Sequence, residues 1–193
     1  RMSLIFKGNT KKAFHTALCI IPPNNLWPNI QSIRSKHDRA FDRWMPHFNF
    51  CFPFVYQDHF DDVSSLLSQS LATVKPFKAE CTSIGYFQHS KKCVVFLQPT
   101  KATQDAFNDV LKAIHQVLPT FDDQLKKGNG VFHAHLTLGQ CPTKHLEKTV
   151  ESFESLLFKD TQSISWECNS INMIFRPDKV SPMQVIKTIS FGG

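Results

Sequence analysis

The sequence predicts an α+β fold in which strands and helices alternate along the chain. Apolar residues recur with period two in some segments and with the period of a helix in others. The order strand, helix, strand, helix is followed twice, and each pass contains one histidine motif in a strand-like segment. With 193 residues, 41% of them hydrophobic and 18 of them Phe, the chain is long and apolar enough for a packed core. We expect a single domain over residues 1–193, with its core at about 13–191, built from two related halves.

The first half begins with a buried strand. Residues 14–21 are nearly all apolar and are followed by Pro22 and Pro23, which end the strand. Helical spacing then predicts a helix over residues 27–41, and residues 44–54 form the strand with the first motif. Apolar residues at helical spacing predict a second helix over residues 58–74, which Pro76 follows.

The second half repeats the alternation. Residues 77–87 and 92–98 form two predicted strands joined by a short turn, residues 103–118 form a helix, and residues 122–130 form a polar loop. The remaining predicted elements are the strand with the second motif, a helix, an irregular strand and a last strand, at residues 131–139, 143–158, 163–176 and 183–191.

Each histidine motif places one imidazole and one small polar group on the same face of a strand. Side chains alternate faces along a strand, so His47 shares a face with Asn49, and His135 shares a face with Thr137. The neighbouring Phe and Leu side chains point the other way. If the two strands lie side by side, the four polar side chains meet in one cleft that can donate one proton and accept another.

Composition limits the other functional classes. The net charge of +6 and the pI near 9.0 suit a phosphate-bearing ligand. The six cysteines contain no Cys-x-x-Cys pair, and several lie in apolar strands, so buried free thiols and an intracellular protein, cytoplasmic or nuclear, are expected. The spacing of zinc ligands is missing, no signal peptide is visible, and no apolar segment is long enough to cross a membrane.

These motifs resemble those of the 2H phosphoesterase superfamily, which includes 2'-5' RNA ligase-like proteins and 2',3'-cyclic nucleotide phosphodiesterases. The family carries two distant His-x-Ser/Thr-x motifs on two lobes related by a pseudo-twofold axis. Here the histidines are 88 residues apart. Residues 44–54 resemble the first motif with its trailing Pro-Phe, and residues 132–139 resemble the second, which ends in Gly139. The resemblance implies antiparallel sheets around a central cleft, with helices outside.

The resemblance also implies a mechanism. His47 and His135 would act as general acid and base, Asn49 and Thr137 would bind the phosphate, and no metal or cofactor would be needed. The sequence does not assign the two proton-transfer roles, and we start from His135 as base and His47 as acid. The family usually has Ser or Thr where this chain has Asn49, whose amide can also donate a hydrogen bond to a phosphate oxygen.

Further side chains are candidates for substrate contact. His133 shares a face with His135, Arg176 at the end of a late strand could pair with phosphate, and Phe87 and Tyr56 near strand ends could stack on a base. Core packing is the alternative for Phe87, and an exposed, unpartnered Arg is the alternative for Arg176. Among the other histidines, His15 is expected to be an ordinary strand residue, and four are expected to be solvent-facing helix residues, namely His37, His59, His115 and His145.

Two functional hypotheses follow. The first is a metal-independent phosphodiesterase that converts the 2',3'-cyclic phosphate ends of RNA or nucleotides to 2'-phosphates, or that cleaves 2'-5' linked oligonucleotides. The second is a catalytically silent RNA- or nucleotide-binding module in a larger, multidomain RNA-processing protein. Asn49 and the absence of an initial Met keep the second hypothesis open.

Overall fold

The computed structural model describes residues 11–192. This part of the chain forms eight strands and five α-helices. The strands are β1 Thr16–Ile20, β2 Phe48–Cys51, β3 Phe77–His89, β4 Lys92–Pro99, β5 Leu136–Pro142, β6 Ile164–Cys168, β7 Ser170–Phe175 and β8 Gln184–Ser190. The helices are α1 Trp27–His37, α2 Phe60–Leu71, α3 Lys101–Val117, α4 Asp123–Lys127 and α5 Leu146–Phe158.

The strands form two antiparallel sheets of four, which confirms the predicted α+β fold. The first sheet has the order β2-β1-β7-β8 and the second the order β5-β4-β3-β6. The second sheet uses a continuous middle section of the chain, whereas the first combines strands from both ends. The two lobes are therefore not the two sequential halves of the chain. Both motif strands, β2 and β5, lie at an edge of their sheet.

Both predicted motif strands are shorter than expected, and each histidine lies just before its strand begins. Segment 44–54 is a strand only at β2, because Pro46 has no N–H for a strand ladder. The backbone before β5 is hydrogen-bonded to a side chain of α3 instead of to a neighbouring strand. Gln104 donates from Nε2 to the Phe132 carbonyl (2.9 Å) and accepts from the Ala134 N–H (3.0 Å).

Other element boundaries also differ from the prediction. The first helix ends at His37 rather than at residue 41, because Asp38 adopts an extended backbone conformation and its carboxylate pairs back to Arg34. The predicted polar loop 122–130 contains α4. The predicted strand 163–176 is divided at Asn169 into β6 and β7, which belong to different sheets.

One hydrophobic core joins the two sheets. Phe48 and Phe50 point into it from β2, and their rings lie 5.3 and 5.5 Å from the ring of Phe107 on α3. Asn49, between them, points away from this core, as the alternation predicted. Helix α1, which comes early in the chain, packs against β5 of the second sheet. At Gly139 a Cβ atom would lie only 2.5 Å from the Cβ of His37, so the absence of a side chain allows this close approach.

The six cysteines are all buried free thiols, as predicted. Burial raises the pKa of each of Cys19, Cys51 and Cys81, and raises the pKa of Cys168 to about 12, so these thiols are protonated at neutral pH. Across residues 11–192, no helix has the length and the apolar character that a bilayer crossing requires.

Candidate active site

The His47 ring is fixed by a backbone hydrogen bond. Its Nδ1 lies 2.6 Å from the carbonyl oxygen of Met45. A carbonyl only accepts, so Nδ1 carries the proton and Nε2 is left with the lone pair in the neutral ring. Asn49 donates from Nδ2 to this Nε2 over 3.0 Å. The Asn49 Oδ1 is buried and has no hydrogen-bond partner among the described residues, so it remains able to accept from a ligand.

His135 repeats this arrangement in the second lobe. Its Nδ1 lies 2.7 Å from the carbonyl oxygen of His133, again two residues earlier in the chain. The same tautomer is therefore favoured, with Nε2 free. The ring is held edge-on by Phe87 at 5.0 Å and also contacts Phe96 at 5.4 Å. The hydroxyl of Thr137 makes no hydrogen bond within the described part of the chain, so it is available to donate.

One cavity of about 630 Å³ brings the motifs together. His47, Asn49, His135 and Thr137 all line it, so the structure unites the four residues that the sequence placed on two distant strands. Its other walls include two of the further candidates, Phe87 and His133, together with residues from α1, α4 and β5. Lys127 of α4 also lines the cavity and makes no ion pair within residues 11–192.

Burial lowers the pKa of both histidines. The pKa of His47 falls to about 4, mainly because burial disfavours the charged ring; the Met45 carbonyl opposes this, and Arg34 and His135 lower the pKa further. Burial also lowers the pKa of His135; the hydrogen bond to the His133 carbonyl opposes this, and electrostatic interactions with Lys127 and His133 lower the pKa further. Because His135 is among the groups that lower the pKa of His47, a proton on His135 disfavours a proton on His47. Both rings are neutral at pH 7 in the unliganded protein.

An aromatic and cationic stack supports the His47 loop. The Trp44 ring stacks on His47, with centroids 4.8 Å apart and an interplanar angle of 24°. The Phe52 ring meets Trp44 edge-on at 5.2 Å, and the Arg176 guanidinium lies 5.8 Å from the Trp44 centroid. These contacts place the His47 ring in one orientation before any ligand binds.

A buried polar network, which the sequence analysis did not predict, joins the two lobes beside His47. Arg34 donates to Asp38 at 2.7 and 3.0 Å, and both side chains are almost fully buried. Arg34 also donates to the Trp44 carbonyl at 2.9 Å, and Gln140 of β5 donates to Asp38 at 3.2 Å. In the sequence, Arg34 and Asp38 have the spacing of an ordinary exposed helix pair, and only their burial reveals this role.

Two of the predicted contact residues lie outside the cavity. Tyr56 is 47% exposed and follows β2, away from the cavity wall. Arg176 is buried rather than exposed; it contacts Trp44 and donates from Nη1 to the Lys179 carbonyl at 3.2 Å, while its Nε has no partner among the described residues. Arg176 therefore reaches the site only through Trp44.

The five further histidines with a predicted environment are not all where they were expected. His37 and His145 face solvent as predicted, and His15 is half-buried at the start of the first sheet. His59 and His115 are also half-buried rather than solvent-facing, because they lie on helix faces that pack against neighbouring segments; the Nε2 of His115 lies 3.3 Å from the Phe121 carbonyl oxygen. Within residues 11–192, no group of three or more His, Cys, Asp or Glu side chains is arranged to hold a metal ion.

Comparison with known proteins agrees with this geometry. A model of the 2'-5' RNA ligase superfamily matches residues 22–179, a range that includes both histidine motifs. The chain belongs to the 2'-5' RNA ligase superfamily. This superfamily consists of 2H phosphoesterases, which confirms the resemblance seen in the motifs and supports an enzyme. A search of curated protein sequences found no significant match.

Solved structures share the fold of this superfamily member. TT0787 of Thermus thermophilus superposes with a TM-score of 0.58 at 12% identity, covering 93% of this chain and 98% of that one. E. coli LigT complexed with phosphate gives a TM-score of 0.54 at 12% identity, covering 95% and 100%. E. coli LigT complexed with 3'-AMP gives 0.54 at 15% identity, covering 93% and 98%.

Proposed function

We propose that this protein is a phosphodiesterase that opens 2',3'-cyclic phosphate ends of RNA or nucleotides and leaves a 2'-phosphate. The observation that carries the proposal is the pair of imidazoles in one cavity, each fixed through Nδ1 by a carbonyl two residues earlier. Such a pair can move two protons in one reaction. Membership of a phosphoesterase superfamily supports it, as do phosphate and 3'-AMP complexes of a protein with this fold.

The burial of the two rings favours His47 as the base, the reverse of the assignment from which the sequence analysis started. His47 is the more deeply buried ring, and its pKa of about 4 keeps it neutral, as a base must be. His135 lies closer to solvent, where carrying a proton costs less. The negative charge of a bound phosphodiester raises the pKa of both rings and allows His135 to become charged.

The proposed reaction balances with these two groups. Water attacks phosphorus and gives its proton to the Nε2 of His47, while the bond from phosphorus to the 3'-oxygen breaks. The Nε2–H of His135 donates its proton to that leaving oxygen. Negative charge grows on the non-bridging oxygens, where the Thr137 hydroxyl and the Asn49 amide donate hydrogen bonds. For this step Asn49 must leave His47 Nε2 and turn to the phosphate.

The rest of the cavity suits a nucleotide. Lys127 is a cation beside His135 with no ion pair in the described part of the chain, so it attracts a phosphate without being neutralised by a carboxylate. Phe87 presents an aromatic ring next to His135 and His133, where a base can stack. Phe87 therefore has two proposed roles, since it also orients the His135 ring.

A substrate panel with EDTA present tests the proposal. We expect 2',3'-cyclic AMP to be hydrolysed, with phosphorus NMR showing a 2'-phosphate product, and to be hydrolysed faster than a 2'-5' linked oligoadenylate. Faster cleavage of the oligoadenylate would favour the alternative phosphodiesterase. An inert protein that still binds cyclic-ended RNA would contradict the enzyme and favour the silent binding module. A 3'-phosphate product would contradict the assignment of the leaving oxygen.

A further inference from the structure

A second cavity of about 540 Å³ opens on the first lobe. It lies between the end of β1, the start of α1 and the strands β6, β7 and β8. The residues that line it include Trp27, Trp166, Met45, Glu167, Asn172 and Thr188. Nothing in the proposed reaction uses these groups.

The two indoles are held in place before any ligand arrives. Trp27 donates from Nε1 to the Pro22 carbonyl over 2.8 Å, which fixes its ring at the beginning of α1. Trp166 is stacked on Phe48 of the core, with centroids 6.0 Å apart and an angle of 24°. Rigid aromatic walls lose little entropy on binding and suit a flat ring. Met45, which has an adaptable side chain, completes the apolar part.

The charges around this cavity differ from those around the active site. Among the residues that line it, none is Lys, Arg or His, and the only ionisable side chain apart from a buried thiol is Glu167. With no cation among its lining residues this cavity does not attract phosphate, and the exposed Glu167 adds negative charge beside it. In the active-site cavity Asp38 pairs with Arg34, so Lys127 remains as a cation without an ion pair in the described part of the chain, which is the opposite balance. The second cavity therefore suits an uncharged heteroaromatic ring rather than a phosphate group.

Asn172 supplies hydrogen-bond donors for such a ring. Its Oδ1 accepts from the Thr188 hydroxyl at 2.9 Å, which fixes the amide orientation. Its Nδ2 makes no hydrogen bond within residues 11–192. The side chain is nearly buried at the cavity wall. An amide with its oxygen committed presents N–H groups to the carbonyl or ring nitrogen of a base.

The two cavities lie on one face of the first sheet. Asn49 of β2 pairs with Cys19 of β1, and Cys19 pairs with Asn172 of β7. These three residues form a row across the sheet, which leads from the active site to the second cavity. The row spans two strand spacings, about 10 Å. The adjacent residues Trp44 and Met45 form the wall between the cavities, with Trp44 facing the first and Met45 lining the second. Neighbouring nucleotides of one strand can reach both.

We propose that the second cavity binds the base of the nucleotide next to the one that carries the cyclic phosphate. This inference rests on the proposed function and makes the preferred substrate an RNA end of at least two nucleotides. The terminal base then stays near Phe87, and the neighbouring base enters between Trp27 and Trp166.

Tryptophan NMR tests the site without turnover. The protein has three Trp residues, and their indole N–H signals separate the cavities, because Trp44 lies in the first and the other two in the second. We expect 2'-AMP to shift the Trp44 signal only, and a dinucleotide ending in 2'-phosphate to shift all three. A dinucleotide that moves only Trp44 would overturn the proposal. So would a mononucleotide that moves Trp27 and Trp166.

Kinetics provide the second test. We expect the kcat/KM of a cyclic-ended dinucleotide to exceed that of the cyclic mononucleotide by about 5- to 150-fold, the range expected for stacking one base. Trp27→Leu should lower this ratio at least fivefold, and Tyr86→Leu, an aromatic replacement outside both cavities, should not change it. An unchanged ratio in Trp27→Leu would contradict the site. Absence of any turnover would count against the proposed function alone, because the NMR result is independent of it.

Discussion

The titration of His47 offers a quantitative test of the site. Its folded pKa of about 4, against about 6.5 for an ordinary histidine, means that the unfolded chain binds a proton more readily than the folded protein. Because the folded pKa of His47 lies below the unfolded pKa, its titration does not affect the free energy of unfolding above pH 6.5. As the pH falls from 6.5 towards 4, proton binding by the unfolded chain lowers the free energy of unfolding. From these two pKa values, the loss reaches about 2.5 kcal/mol at pH 4.5.

Urea unfolding at pH 7 and pH 4.5 measures this loss. Other groups also titrate in this range, so the relevant quantity is the difference between wild type and His47→Gln, in which position 47 cannot take up a proton. We expect wild type to lose about 2 to 2.5 kcal/mol more than the variant between the two pH values. An equal loss in both proteins would refute the burial argument.

Direct observation of the ring by NMR provides a second readout of the same prediction. The His47 ring nitrogens should remain in the neutral pattern, with the proton on Nδ1, down to about pH 5 in the free protein. Saturating inorganic phosphate should raise the pKa of His47, because the anion stabilises the charged ring. A free-protein pKa at or above 6.5 would contradict the structure.

Three substitutions test the surroundings of the site. Asp38→Ala leaves the buried Arg34 without its partner and should lower the free energy of unfolding in urea by about 3 to 5 kcal/mol. The control Asp105→Ala, at an exposed ion pair, should lower it by less than about 1 kcal/mol. Equal losses in the two variants would contradict the buried network. Gly139→Ala should cost about 1 to 3 kcal/mol, because the new methyl meets the end of α1; an unchanged melting temperature would argue against that close approach. Asn49→Leu should lower kcat about 10² to 10³-fold, whereas Asn49→Thr, which keeps a hydrogen-bond donor, should lower kcat far less. Wild-type activity in Asn49→Leu would show that Asn49 takes no part in the reaction.

Part of the site could be predicted from the sequence because it depends on local periodicity. The alternation of Phe48, Asn49 and Phe50 fixes which side chain faces the cleft, and the structure follows it. The same holds for Thr137 between two buried leucines. The pairing of the two motifs in one cavity followed from the family resemblance, and the structure brings them together.

The rest of the site depends on contacts that span the chain. The pairing of Asp38 with Gln140 joins residues 102 positions apart, and no local pattern signals it. The Gln104 side chain replaces a strand partner for the segment before β5, which looks in sequence like a continuous strand. The buried state of Arg176 follows from its contact with Trp44, whereas its position at a strand end suggested an exposed side chain.

The shared tautomer of the two histidines has a local origin that the sequence does carry. Each catalytic candidate has a carbonyl two residues earlier that accepts from its Nδ1, at Met45 and at His133. A histidine at the very start of a strand can fold back onto the preceding backbone in this way. The repetition of this contact in both lobes is what gives both rings the same free nitrogen.

The central claim is that His47 and His135 act on one phosphate as a base and an acid, and single and double replacements test it most directly. The measurement is kcat/KM for 2',3'-cyclic AMP in EDTA with His47→Ala, His135→Ala and the double variant. We expect each single replacement to cost about 10² to 10⁴-fold, and the double variant to cost little more than either, because the two groups work as a unit. Losses that simply multiply, or a single variant with wild-type activity, would contradict the claim.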